Sequence, residues 1–303
     1  MRVTANMSAE NSLYNIQQGR IKLDKLQESI SSGQNVNRPS DDPISSRVLL
    51  EISDKLKSID QNSSNISKAT SWLKFTGTAM EGMSKIVNLA KKLASSINSG
   101  STEPTVRQSA HDQLVDLKKQ LVDMANSQYG DQYIFAGANN NTPPFNYANN
   151  TYGGDSTQLS IVIAQNSTQE LNVTGDRLLK GSGANPSYGS TDILQAFDDM
   201  IAAVGDSITP SNTAAISTAA AVLQNGATQF NIATSDILSR MTRLDNMNKL
   251  NDNNKNTLLT IATGIQEVDY AKLAVEQSNQ KLAFEASLSS TAKLSQLSLL
   301  DYL

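Results

Sequence analysis

The chain has 303 residues, enough for two or three domains, but only 5% aromatic residues and a single Trp. That composition disfavours a thick globular core and suits thin helix bundles. A formal net charge of -4 gives no electrostatic footprint for nucleic acid, and no basic cluster adjoins an apolar helix to dock it on a membrane.

The first helical pattern runs from about Ala9 to Ser31, with Leu13, Ile16, Leu23, Leu26 and Ile30 on one side, and Gly33 stops it. After a stretch of Gly, Asn and Pro comes Asp42-Pro43. The Asp42 carboxylate suits an N-cap, and Pro43 suits the first helical position. The helix that starts there is expected to reach Ile97 or Asn98, and Gly77 and Gly82 inside it mark a bend or close packing. Along it, Ile52, Ile59, Ile66, Leu73, Met80, Val87 and Ala94 recur every seventh residue. At 38% hydrophobic residues, one given frame does this by chance roughly once in a thousand.

Glu103-Pro104 opens a return helix through Ala110, Leu114, Leu117, Leu121 and Met124. Gly, Asn, Thr, Pro and Tyr fill 137–157, followed by alternating, β-branched segments at Gln158–Ile163 and Thr168–Val173. Residues 139–189 therefore read as a small β-rich insertion. Helical periodicity resumes with Leu194, Phe197, Ile201 and Val204. After Thr209-Pro210 a second heptad series follows, Ile216, Leu223, Phe230, Ile237 and Leu244. Asn251 interrupts it. Beyond that, Leu258, Ile261, Ile265, Val268, Val275 and Leu282 restore an apolar seam, which continues through Leu288, Leu294, Leu297 and Leu300.

A straight α-helix drifts against a seven-residue repeat, so helices that keep it coil around partners. The fold class expected is mainly α: an elongated rod of long heptad-patterned helices, with N- and C-terminal segments packed together and a small β-rich insertion. The division expected is 1–42 with 258–303 as terminal helices, 43–138 with 190–257 as a helical rod, and 139–189 as the insertion. Both ends carry amphipathic helices with no evident core of their own. They are expected to be disordered in the monomer and to fold on assembly. The subunit-contact seam expected is Ile16, Leu23, Leu26, Ile30, Val268, Val275, Leu282, Leu294, Leu297 and Leu300. The plainer alternative is that these residues only pair the terminal helices within one chain.

Nothing in the sequence points to catalysis, a metal or a cofactor. His111, the one histidine, reads as a solvated helical residue beside Asp112 and not as a catalytic base, and one histidine excludes a two-His metal site. Counted as a calcium loop from Asp245, position six is Leu250 and position twelve Asn256, where Gly and Glu are required. Asp41-Asp42 suit helix capping, and Asp198-Asp199 are expected on the wet face of their helix. The start, Met1-Arg2-Val3-Thr4-Ala5-Asn6-Met7, lacks the apolar stretch of a secretory signal, and no window approaches the ~18 apolar residues that span a bilayer. The absence of cysteine fits a cytosolic protein or one exported unfolded, and does not choose between them.

The segment from Ile30 to Pro43, ending Arg38-Pro39-Ser40-Asp41-Asp42-Pro43, resembles the signature of the bacterial flagellar hook–filament junction proteins (hook-associated protein 3), within the flagellin superfamily. Ala69–Leu73, Gln132–Gly137, Thr142–Phe145 and Ala292–Leu303 agree with that family in the same order. The resemblance implies a non-enzymatic structural adaptor, without cofactors, that joins the hook to the filament. Its implied partners are the hook-capping junction protein, flagellin, copies of itself and a cytosolic flagellar export chaperone. Its implied location is the extracellular flagellum, reached by type III export. The rival readings are a flagellin, which builds the filament itself, and another type III-secreted coiled-coil protein.

Overall fold

The computed structural model describes residues 5–100, 103–182, 188–205 and 213–300. Its elements are α1 (Ala5–Ser32), α2 (Pro43–Gly100), α3 (Pro104–Ala125), β1 (Gln128–Tyr129), β2 (Gln132–Tyr133), β3 (Ser160–Ala164), β4 (Ser167–Glu170), α4 (Gly175–Leu179), α5 (Ile193–Gly205), α6 (Thr213–Gln266) and α7 (Tyr270–Leu300). This is the mainly α architecture with a small β-containing insertion that the patterning implies. The chain forms two compact units, Met1–Ser58 with Asn253–Leu303, and Ile59–Asp252.

In the unit Ile59–Asp252, the heptad positions are the core. Ile66, Leu73, Met80, Val87 and Ala94 of α2 are buried, as are Ile216, Leu223, Phe230, Ile237 and Leu244 of α6. All ten belong to one apolar cluster with Leu114 and Leu121 of α3 and Leu194, Phe197 and Met200 of α5. Fully burying one such side chain contributes about 1.5–3 kcal/mol, so these rows dominate the unit's stability. Gly82 allows α3 to approach closely: a Cβ there would lie 2.6 Å from Met124 Sδ.

The Asn/Asp-rich stretch 245–256 does not break α6, which continues to Gln266. Asn251 falls on the next heptad position after Leu244 and is buried there. The chain turns later, at 267–269. Asp198 also departs from expectation. Its carboxylate pairs with the buried Lys118 ammonium at 2.6 Å and accepts Asn150 Nδ2 at 2.5 Å, which fastens the 145–151 loop to α3 and α5. His111 is partly exposed and sits 3.1 Å from Asp112, as expected.

Among the described residues of the insertion, paired strands are confined to β3–β4, with Ser160 opposite Glu170 and Val162 opposite Thr168. The predicted second strand stops short of Val173 because Asn172 turns its side chain on the neighbouring segment. Its amide accepts the Leu159 N–H and donates to the Thr157 carbonyl, at 2.8 and 2.9 Å. The other hairpin, β1–β2, precedes the insertion. Truncating Phe230 to Ala should destabilise the protein by roughly 3–5 kcal/mol in urea unfolding, while Ile232→Ala on the exposed face should cost under about 0.5 kcal/mol. Equal effects would contradict this assignment of the core.

Candidate assembly surface

The terminal unit, Met1–Ser58 with Asn253–Leu303, is built around a folded-back loop. Gly33 ends α1 with φ +68°, and a Cβ there would meet the Tyr270 hydroxyl at 2.7 Å. Beyond it, the Asn35 N–H donates to the Gln266 carbonyl at 2.8 Å, and Gln34 bridges Glu267. Val36 and Val268 are buried in this unit. The loop therefore holds the α6–α7 turn, and Asp269 caps α7 by accepting the Lys272 N–H at 3.0 Å.

The Arg38–Pro43 box is a wiring element. Arg38 pairs with Glu28, and Lys25 with Asp41, at 3.0 and 3.1 Å. Asp42 caps α2 through the Ile44 and Ser45 N–H groups and the Ser45 hydroxyl, at 3.0, 3.1 and 2.6 Å. The Lys25 ammonium and then the Arg38 N–H hold the Asp41 carboxyl below its usual range. The Ser45 hydroxyl and N–H do the same for Asp42. Capping is thus the role the structure gives Asp42, while Asp41 ties the loop to Lys25 and the Arg38 N–H.

α1 and α7 run antiparallel. Gln277 donates to Gln27 at 2.5 Å, Gln280 to the Gly19 carbonyl at 3.4 Å, and Phe284 lies beside Gly19. Half-buried on α1 are Ser12, Ile16, Gly19, Leu23, Leu26 and Ile30, with Glu28 to one side; among the described residues of α7 they are Leu273, Gln277, Gln280, Phe284, Ser287 and Thr291. Both sets follow the 4, 3 spacing of a coiled-coil seam. Among the described residues, the ends expected to be disordered in the monomer are therefore paired helices.

The pairing covers one side of each helix and leaves another apolar side open. Met7, Tyr14 and Ile21, seven residues apart on α1, are exposed, Tyr14 by 61%. On α7, Val275 and Leu282 are 63% and 67% exposed, with Leu288 beyond them. Among the described residues of this unit, the buried apolar side chains are Val36, Ile52 and Val268. Rows of open apolar side chains over so thin a core are the mark of an interaction surface.

The predicted seam is thereby divided. Ile16, Leu23, Leu26 and Ile30 are half-buried on the α1 seam, Val268 is buried at the α6–α7 turn, and Val275 and Leu282 face solvent. The side chains of Leu294, Leu297 and Leu300 lie outside the described residues. Sequence reasoning missed Met7, Tyr14 and Ile21, although their seven-residue spacing was a usable signal. Among the described residues, no group of three or more His, Cys, Asp or Glu is placed to hold a metal, and no helix is long and apolar enough to cross a membrane.

Residues 3–140 match the bacterial flagellin N-terminal helical region. Over 312 residues, covering 99% of this chain and 98% of the relative, the sequence is 22% identical to flagellar hook-associated protein 3 of Salmonella typhimurium. Along its whole length the chain is similar to flagellar hook-associated protein 3. The flagellar filament 41 kDa core protein of Borreliella burgdorferi is 30% identical over 139 residues, 45% of this chain and 41% of that protein. Likeness to a filament protein is thus partial, whereas likeness to the hook-associated protein runs end to end. The crystal structure of the flagellar junction protein FlgL from Legionella pneumophila shares the fold, with a TM-score of 0.58 at 16% identity over 74% of this chain and 100% of that one.

Because both Asp41 and Asp42 titrate lower in the folded chain than unfolded, the stability they add is complete above the unfolded carboxylate pKa near 4. It is lost as pH falls through their depressed values. Hydrogen exchange at the Ile44 and Ser45 amides should accelerate, relative to intrinsic rates, on acidification below that range. Asp42→Ala should show the fast rate already at neutral pH; unchanged protection in the variant would contradict the capping assignment.

Proposed function

We propose that this chain is a structural subunit of the bacterial flagellum that joins the hook, through its capping junction protein, to the flagellin filament. Its homologues are flagellar structural proteins, and it is not an enzyme. The observation that carries the mechanism is the terminal helix pair, which leaves Met7, Tyr14 and Ile21 on one helix and Val275 and Leu282 on the other open to solvent. Covering such rows with neighbouring copies supplies the driving force for assembly. The two rows lie on different helices, so a copy that offers one row and receives the other makes a heterologous contact. Such contacts build rings or open helices instead of closed dimers.

In this reading, 1–42 and 258–303 are the assembly region, 43–138 and 190–257 the supporting helices, and 139–189 an outer insertion. The contact seam comprises Ile16, Leu23, Leu26, Ile30, Val268, Val275, Leu282, Leu294, Leu297 and Leu300, now joined by Tyr14 and Ile21. The partners are the hook-capping junction protein, flagellin and further copies of the chain, with an export chaperone before secretion. The working location is the extracellular hook–filament junction, reached without a cleaved signal.

A strain lacking the protein, complemented with Val275→Asp, Leu282→Asp or both, tests this. The variants should keep wild-type helicity by circular dichroism, yet flagellin should escape into the medium and hooks should carry no filament. Restored filaments with the double variant would contradict the assembly surface. If the deletion instead leaves hooks with their junction proteins and no flagellin in the medium, the chain is the filament subunit.

A further inference from the structure

Gln229 and Arg240, buried on α6, have no part in the assembly surface, and their hydrogen-bond partners lie in the second unit, Ile59–Asp252. Gln229, Asp236 and Arg240 are spaced seven and four residues apart, so they share one face of the helix. Gln229 and Arg240 are only 1% and 6% exposed. They point at the backbone of the insertion, the short α4 included, and of the segment just after it, and not at the long helices. Gln229 Nε2 donates to the Leu178 carbonyl at 2.7 Å and to the Thr191 carbonyl at 3.2 Å, while its Oε1 accepts the Thr191 N–H at 3.2 Å. Arg240 Nη1 donates to the carbonyls of Asn172 and Glu170 at 3.2 and 3.4 Å. Arg240 Nη2 joins the carboxylates of Glu170 and Asp236 at 3.0 and 2.8 Å, and Asp236 accepts the Tyr188 hydroxyl at 2.7 Å.

Two physical facts give this arrangement its consequence. A two-stranded hairpin such as β3–β4 is marginal in water without something to pack on. Backbone carbonyls removed from water must also find donors, and here four of them, from Glu170, Asn172, Leu178 and Thr191, find donors on α6. The donors come from a helix that follows the insertion in the chain. Until α6 is in place, these four carbonyls lack these donors, and the segment keeps only the support of the other helices, such as the Asn65 amide of α2 on the Val162 carbonyl at 2.8 Å.

We infer that the Gln229–Asp236–Arg240 face of α6 is a clasp that orders the described segments 160–182 and 188–192, which open and close together upon a helical bundle that does not need them. Apolar contacts of Ile163, Val173 and Leu178 with the same cluster add adhesion, but the clasp sets the register of the segment. Because it grips main-chain atoms, the insertion's outward side chains are free to vary without loss of docking. The opening unit is a local foldon whose free energy lies below that of the bundle.

Hydrogen exchange on the full-length chain, read by mass spectrometry, tests this in Arg240→Ala, Gln229→Ala and Arg240→Lys. Arg240→Ala should speed exchange in 160–173 by at least about tenfold, while 66–94 of α2 keeps wild-type protection. Gln229→Ala should act on 178–182 and 188–192, and Arg240→Lys should fall between wild type and Ala. Unchanged exchange across 160–192 in both Ala variants would overturn the clasp. So would an equal loss of protection in 66–94, which would make the insertion part of one cooperative core.

Discussion

Apolar side chains at every seventh position of two helices, 58 and 54 residues long, are the constraint on which the rest depends. A lone helix gains nothing from such a row, since half its apolar surface stays in water. Two rows closed against each other and against α3 and α5 remove Leu73, Met80, Val87, Leu223, Phe230 and Ile237 from solvent almost completely. Once that cluster has formed, the turns between helices and the insertion between α3 and α5 have a fixed base. Polar residues such as Lys118, Gln229 and Arg240 can then be held at its margin to receive loops.

The terminal unit obeys the same spacing with the opposite outcome. Its facing positions on α7 include Gln277, Gln280, Ser287 and Thr291, so the seam with α1 is weak in apolar content, while Val275 and Leu282 point away from it. An apolar residue placed outside a polar seam cannot be explained by the fold of one chain. It is explained by a partner. The Arg38–Pro43 box complements this arrangement: ion pairs to α1 and the cap on α2 hold the connecting loop in one shape, so the open rows are presented in a defined geometry.

Much of this was readable before any coordinates. The heptads of α2 and α6 were visible because burial and periodicity coincide there, and the Asp42 cap because its chemistry is local. Where residues act over long separations, the signal fades. Asp198 looked like a solvated acid because its partner, Lys118, is 80 residues away. The clasp on α6 was invisible because Gln229 and Arg240 bind carbonyls, which leave no side-chain signature in the insertion. Asn251 looked like a break because Asn is rarely buried, yet α6 runs through it without interruption to Gln266. The open row of α1 was overlooked because Ile16, Leu23 and Ile30 share its spacing, and one heptad row masked another two residues away.

The chain's lack of cysteine makes the central claim directly measurable. Single cysteines placed at Tyr14, Ile21, Val275 and Leu282 can be labelled with a soluble maleimide, first in purified monomer and then in intact flagella carrying the same variants. The account predicts rapid labelling at all four positions in the monomer and strong protection in the assembled appendage, with a control cysteine at the exposed Lys57 equally reactive in both. Protection already complete in the monomer, or reactivity in the assembly equal to that of the free chain, would contradict it.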